Sequence, residues 1–590
     1  MDIYSVLDLL GGLALFLFGL NVMGNGLQNA SSGQLENILG KLTSNKFKGV
    51  FLGIVVTTVV QSSSAVTIML VALVNSGVMK LKQTVPVIMG ANIGTTITAW
   101  ILSLSGLDGD SFIVQILKPS TFTPILAIIA VIMLSTAKTE RKKAIANTIL
   151  GFSVIMFGMS AMSASMSGLQ GNPNFTRAFT IFTNPVLGII VGAVVTAIVQ
   201  SSSASIGILQ ALSTTGEITF ASTFPIIMGQ NIGTCITAML AAIGSKKNAK
   251  RVSVIHLTFN ILGTIIFVSL FYVIDFLWPF SFMGDKVTEF SIAMVHTIFN
   301  LFTTLILLPF TKQLVEFSRI IIPSDADTNS TGQDSTIKTL NLLDPLFLEQ
   351  PHLALNRSYE VLVKMMEYSD KALKLSFELF DDYTDEKFLD IEELEQSVDR
   401  FEDALKNYTS QLLVKELNED DSQRLTLVFN GMNDVERICD HAMNFANTVK
   451  ASADKSREFS KDAREDLHLY FSAVQDIVDR TYKSLGDQNS TFVETIPPLE
   501  EHINNLDKHM VKKHIKRMKK GKCKVKNGIA ITDVFNGLER VSDHCNNISL
   551  YILQLDTDNN RTHDFENNID KNSEMYKTTL AEFEKVYPLV

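Results

Sequence analysis

Four cysteines in 590 residues are too few for a disulfide scaffold. Cys235 lies in an apolar stretch. Cys439, Cys523 and Cys545 lie in the acidic C-terminal part, at spacings that fit no zinc ribbon. Charge is also scarce, at 19% of residues against 46% hydrophobic, and the shortage is uneven. Residues 1–320 hold 18 Lys and Arg with 11 Asp and Glu, a net of +7, whereas residues 321–590 hold 33 and 50, a net of −17. This distribution excludes a wholly soluble enzyme and a basic nucleic-acid binder. The N-terminus lacks the basic region and small-residue cleavage site of a removable signal, so residues 7–23 read as a retained membrane helix. There is no Gly-x-Ser-x-Gly elbow and no acid–base partner beside the serine runs. That argues against a serine hydrolase, and no enzyme activity is expected.

What the first part does contain is apolar runs. A bilayer core of ~30 Å takes about 20 residues of helix. Segments near 6–24, 48–78, 84–104, 120–136, 144–163, 183–215, 223–243, 252–274 and 290–310 qualify. Two of them, 48–78 and 183–215, are too long for one span, too short for two, and interrupted by serines. They read as re-entrant hairpins, since polar backbone at depth is tolerated only where protein or a cavity satisfies it. Tracing the chain on that basis puts Lys41, Lys46, Lys48, Lys80, Lys82, Lys138, Arg141, Lys142, Lys143, Lys246, Lys247, Lys250, Arg251, Lys312 and Arg319 on one side. Lys118, Arg177 and Lys286 fall on the other. The positive-inside rule makes the first side cytoplasmic, with the N-terminus outside and the acidic part inside.

The chain repeats at an offset of 139 residues. GIVVTTVVQSSSA at 53–65 returns as GAVVTAIVQSSSA at 192–204, identical at 10 of 13 positions. TVPVIMGANIGTTITA at 84–99 returns as TFPIIMGQNIGTCITA at 223–238, identical at 12 of 16. Each copy holds three spans and a hairpin. Three is odd, so the second copy is inverted, an arrangement typical of transporters with broken helices near the midplane.

The best-kept residues are polar. Gln61-Ser62-Ser63-Ser64 and Gln200-Ser201-Ser202-Ser203 sit mid-hairpin. Serine caps helices, so half-helices should begin near Ser63 and Ser202, their free N–H groups and positive ends offering an anion site. Gly90-x-Asn92-Ile93-Gly94-Thr95 and Gly229-x-Asn231-Ile232-Gly233-Thr234 should weaken their helices. Unwound carbonyls, Asn92, Thr95, Asn231 and Thr234, joined by Thr98 and Thr237, would then be hard-oxygen ligands for a small cation. The hairpins carry no central charged residue, so a buried anion needs a co-bound cation, which favours coupled transport. His256-x-x-Phe-Asn260 and His296-x-x-Phe-Asn300 are either cavity groups or interhelical bonds.

These motifs resemble the type II sodium–phosphate cotransporter family, recognised by two inverted repeats that each carry Gln-Ser-Ser-Ser. The resemblance covers roughly 6–310. It implies inorganic phosphate coupled to sodium, with the matching residues at Gln61 to Ser64 and Gln200 to Ser203 and the segments of Asn92, Thr95, Asn231 and Thr234 nearby; all of these are expected to bind phosphate or sodium. Ala65 and Ala204 stand where animal members commonly have Thr. The bacterial branch includes members with a C-terminal domain resembling PhoU, and this chain shares that layout. The rival readings are a carrier of another small anion and a membrane-tethered phosphate sensor without transport.

Residues 324–337 read as a linker. Amphipathic helices are expected near 354–381, 386–417, 420–453, 462–486, 494–520 and 525–555, as two sets of three. Asn433-x-x-Glu436-Arg437-Ile438-x-Asp440-His441-x-x-Asn444 recurs at 536–547 with an offset of 103, and Glu395/Asp399 is echoed by Glu500/Asn504. Glu436 with Asp440, and Glu539 with Asp543, share helix faces. By resemblance to the PhoU family these pairs imply iron or zinc. The competing reading is a solvated face on which Glu436 and Asp440 pair with Arg437.

The expected architecture is therefore an all-α polytopic membrane protein with two inverted repeats, each containing a re-entrant hairpin, followed by a cytoplasmic PhoU-like pair of three-helix bundles. The boundaries read 1–136 and 137–320 for the repeats, 321–345 for the linker, 346–558 for the bundles and 559–590 for a tail. The expected activity is sodium-coupled phosphate transport across the plasma membrane by alternating access. Expected partners are phosphate, sodium and the bilayer, with a homo-oligomer or a cytoplasmic regulatory protein besides; no nucleic acid is expected.

Overall fold

The structure is a computed structural model. It describes residues 3–30, 45–107, 115, 118–166, 181–323, 335–415, 417–453, 460–486, 492–520, 525–555, 571 and 573–589. Lys41, Arg177, Cys523, residues 324–334 of the expected linker and the start of the tail lie outside these residues. The chain divides into two compact units, Met1–Thr331 and Gly332–Val590. The regular elements among the described residues are all helices.

In the first unit the helices are α1 (Ile3–Ala30), α2 (Lys46–Val60), α3 (Ser63–Asn75), α4 (Leu81–Ser103), α5 (Pro119–Thr136) and α6 (Glu140–Met166). Then come α7 (Pro185–Val199), α8 (Ser202–Ser213), α9 (Phe220–Gly233), α10 (Cys235–Ala241), α11 (Lys247–Leu277), α12 (Glu289–Leu307) and α13 (Thr311–Ile321). Seven stretches of helix among the described residues are long and apolar enough to cross a membrane. The paired halves α2/α3 and α7/α8 are not among them. At 15 and 13 residues, α2 and α3 span ~22 and ~20 Å, short of a ~30 Å core.

Helix contacts establish that these pairs are hairpins. A Cβ on Gly53 would lie 2.1 Å from the Val87 carbonyl oxygen, and further along Gly94 meets Thr57. Thr98 then donates to Gln61 Oε1 at 2.9 Å. Contacts therefore advance together along α2 and α4, which run parallel. The short turn at 76–80 joins the end of α3 to the start of α4, so α3 runs back to the level at which α2 began. Gly192 against Ile226 and Gly233 against Ala193 place α7 beside α9 in the same way.

Equivalent glycines also carry the inversion. α1 and α6 are equivalent helices and pack antiparallel: Gly19 faces Ile155 and the Gly151 carbonyl, while Gly158 faces Phe16 and the Gly12 carbonyl. With the offset of 139, each of these contacts maps onto the other. Small residues allow such close backbone approach where no hydrophobic force separates helix from lipid. The repeats also interlock. α8 packs on α4, where Gln210 Nε2 donates to the Ala99 carbonyl at 3.0 Å, and α3 packs on the equivalent α10.

The second unit holds α14 (Ser335–Leu340) and two bundles. The first is α15 (Pro351–Asp381), α16 (Asp385–Leu412) and α17 (Glu419–Ala453); the second is α18 (Lys461–Gly486), α19 (Ile496–Lys519) and α20 (Val525–Leu555). Apolar faces bury Phe401, Tyr470 and Phe535 completely. α17 packs against α20, which brings the two Asn-x-x-Glu motifs together: His544 Nδ1 lies 2.7 Å from Asp434 Oδ1. A last helix, α21 (Glu574–Val586), docks on α19, with Tyr576 Oη donating to Glu501 at 2.7 Å.

Candidate functional site

Each hairpin breaks within its Gln-Ser pair. α2 ends at Gln61, whose N–H still donates to the Thr57 carbonyl at 2.8 Å. Its backbone then turns left-handed at φ 56°, and Gln200 does the same at φ 58°. These are the two non-glycine residues with positive φ among the described residues, one in each copy. Left-handed backbone costs a side-chain-bearing residue ~1 kcal/mol or more, so glycine would be the cheaper choice. The next residue caps the returning half-helix: Ser62 Oγ accepts from Ala65 N–H at 3.1 Å and Ser201 Oγ from Ala204 N–H at 3.2 Å. That leaves the first turns of α3 and α8 presenting Ser63, Ser64, Ser202 and Ser203. Ser63, Ser202 and Ser203 are buried, and among the described residues nothing engages their hydroxyls. The two tips differ. Gln61 is half-buried and tied to Thr98, while Gln200 is exposed.

The second motif departs from expectation. α4 runs unbroken through Gly90 to Thr95, and at Thr234 the interruption is a single residue with helical angles. The glycines serve packing instead. A Cβ on Gly90 or Gly229 would lie 2.0 Å from the carbonyl oxygen of Val50 or Ile189. Thr95 and Thr234 bond back to their own helices, at 3.1 and 2.9 Å, as does Asn231 to the Ile227 carbonyl at 3.1 Å. Asn92 donates to Asn260 Oδ1 at 2.8 Å. Asn260 thus acts as an interhelical bond between α11 and α4. Thr98 faces the hairpin glutamine, and Thr237 bonds the Thr234 carbonyl at 2.9 Å.

Two residues escaped the reading of the sequence. Thr57 and Thr196 occupy equivalent positions one turn before the glutamines, are 1% and 0% exposed, and have hydroxyls without a hydrogen-bond partner. An unpaired buried hydroxyl costs about 1–3 kcal/mol. The signal that marks them is their identity in both copies. Gln210, equally buried, has no counterpart in the first copy, where Val71 stands, so the repeat could not reveal it.

In the second unit carboxylates of a neighbouring helix join the helical pair of Glu436 and Asp440. Glu395, Asp399 and Asp440 bring ligand oxygens within 4.8 Å of one another, from α16 and α17. Glu436 and Asp440 flank Arg437, each 3.5 Å from it. Burial and the neighbouring Asp440 push the Glu436 carboxyl up to about 7, and burial with Asp543 does the same to Glu500. Glu539 and Asp543 are also raised, chiefly by burial. In the second bundle Asn504 stands where Asp399 stands in the first, leaving fewer ligand oxygens there. A carboxyl raised on folding stabilises below its unfolded value near 4.5, and that contribution is lost as pH rises through about 7. Melting temperature is therefore expected to fall between pH 5 and 8. Glu436→Gln should flatten that fall and raise the melting temperature at pH 8.

The Na+/Pi-cotransporter family signature matches residues 15–164 and again 156–295, and the PhoU domain signature matches 362–449 and 467–552. The chain is similar to the uncharacterized protein YqeW of Bacillus subtilis, 28% identical over 52% of this chain and 95% of that one. It is similar to the putative inorganic phosphate export protein YjbB of Salmonella typhimurium, 23% identical over 80% of this chain and 83% of the relative. Sodium-dependent phosphate transport protein 2A of Oryctolagus cuniculus is 30% identical over 34% of this chain and 31% of its own length. No solved structure matches.

Proposed function

The chain belongs to the Na+/Pi-cotransporter family, with a PhoU domain behind its membrane half, and on that premise we propose that it carries inorganic phosphate across the plasma membrane coupled to sodium. The observation that carries this reading is the pair of left-handed glutamines, Gln61 and Gln200, each followed by a serine-capped half-helix. Phosphate is held by the first turns of α3 and α8, with Ser63, Ser64, Ser202 and Ser203 donating. Sodium is held by hydroxyl and amide oxygens, with Thr57 and Thr196 beside the glutamines supplying the unpaired ones. Asn92, Thr95, Asn231 and Thr234 position these groups through the helices that back the hairpins. Alternating access moves one repeat against the other. The positive-inside rule supports an orientation with the N-terminus outside and the PhoU unit in the cytoplasm, where it regulates the carrier.

The relative aligned over 80% of this chain is named a putative inorganic phosphate export protein, which supports outward net flux. On the PhoU unit, Glu395, Asp399 and Asp440 would hold a multivalent cation such as iron or zinc, whose charge would offset their mutual repulsion.

The test is labelled-phosphate flux in proteoliposomes, in both directions, with and without a sodium gradient. Sodium-driven flux is expected. Phosphate binding without flux would move the protein to the sensor class. Thr57→Val and Thr196→Val remove an unpaired hydroxyl at nearly constant volume. Both should melt about 1–3 kcal/mol more stably without ligand and lose the stabilisation that sodium gives the wild type.

A further inference from the structure

At the membrane end where α3 turns into α4 there is a cleft of about 590 Å3 that the transport reading does not use. Its walls are the 76–80 turn, the starts of α4 and α11, and α13. Lys80, Lys82, Lys312 and Arg319 line it with Asn248 and one carboxylate, Glu316. All four cations are exposed, and none pairs with a carboxylate among the described residues. Lys80 and Lys82 are not inherited from the repeat, since their equivalents are Thr219 and Ala221. These two lysines are therefore not part of the repeated scaffold.

The helix beside the cleft has three faces. Thr311, Leu314, Val315 and Ser318 are buried against the membrane unit. Lys312, Glu316 and Arg319 face the cleft. The third face is apolar and uncovered: Phe317, Ile320 and Ile321 are 45%, 76% and 49% exposed. α12, with 19 residues, crosses ~28 Å and delivers α13 to the headgroup level of the bilayer. A charged flank at the headgroups beside an apolar flank in the acyl region is how an interfacial helix lies.

We propose that this cleft binds the headgroup of an anionic phospholipid, with its acyl chains along Phe317, Ile320 and Ile321. Four cations against one carboxylate leave three positive charges for the ligand. A zwitterionic headgroup brings its own cation and satisfies them poorly. A free phosphate ion is small for the cleft and makes no use of the apolar strip. The 76–80 turn is the base of the first hairpin, so the bound lipid ties that hairpin to the last span. Carrier turnover therefore depends on anionic lipid.

The test is native mass spectrometry of the full-length protein from mixed phosphatidylglycerol and phosphatidylcholine micelles. One phosphatidylglycerol should be retained preferentially by the wild type, and Lys80→Gln/Lys312→Gln/Arg319→Gln should hold it about a hundredfold more weakly. Ile320→Gln, with the cations intact, should retain long-chain phosphatidylglycerol less well than the wild type. Melting temperature and elution volume report that the exposed substitutions leave the fold intact. Equal retention of phosphatidylglycerol by the wild type and the triple variant would overturn the proposal. So would thermal stabilisation by inorganic phosphate alone that vanishes in the triple variant, since the cleft would then be a free-anion site.

Discussion

Phosphate flux through Gln61→Gly and Gln200→Gly is expected to fall about ten- to a hundredfold, while both variants stay folded and melt at or above the wild-type temperature. The substitution removes the amide that the proposed site needs. Each lost hydrogen bond to a charged ligand is worth about 1.5–3 kcal/mol, which is the stated range in rate. It simultaneously relieves backbone at φ 56° and φ 58°, where glycine is ~1 kcal/mol more comfortable. Loss of function with unchanged or improved stability separates a functional glutamine from a structural one. Alanine would not, because it keeps the strained conformation. Gln61→Gly should be the more severe variant, since it also releases Thr98 from the hairpin tip. Wild-type flux in both would remove the hairpin tips from the transport path.

The largest stability effect is expected at the helix contacts behind the hairpins. Gly90→Ala and Gly229→Ala each place a methyl group 2.0 Å from a backbone carbonyl oxygen, on Val50 and Ile189. Backbone on a packed helix cannot step aside as a flexible side chain would. The helices must separate, at about 3 kcal/mol or more. Alanine's better helix propensity, at most about 1 kcal/mol, does not compensate. Gly11→Ala is the control: on α1 nothing lies within 4 Å of the added methyl, so the same substitution should be neutral or slightly stabilising. Denaturation midpoints in detergent would decide. A Gly90→Ala protein as stable as Gly11→Ala would mean that α2 does not rest on α4 as described.

Much of this protein is decided by local chemistry, and that part was legible in the sequence. A serine run inside an apolar stretch breaks a helix where it caps the next one, and the breaks fall at Gln61-Ser62 and Gln200-Ser201. Three spans per copy invert the second copy by parity alone, and the reciprocal contacts of Gly19 and Gly158 bear that out. The six helices of the two bundles follow from apolar periodicity, a property of each segment by itself.

What the sequence could not decide is which groups meet across helices. Glycines in the Gly-x-Asn-Ile-Gly-Thr segments read equally well as points of unwinding or of close packing. Only the carbonyls of Val50 and Ile189 lying against them choose the second. The sequence shows Asp440 one turn from Glu436, where the two do meet, but not that α16 adds Glu395 and Asp399 beside it. Thr57 and Thr196 look like ordinary membrane threonines until packing removes every partner from their hydroxyls. A hydrogen bond or a helix break is written into neighbouring residues. An unpaired hydroxyl, a shared carboxylate site or a basic cleft is written only into the packing, because it depends on what residues of other helices leave uncovered.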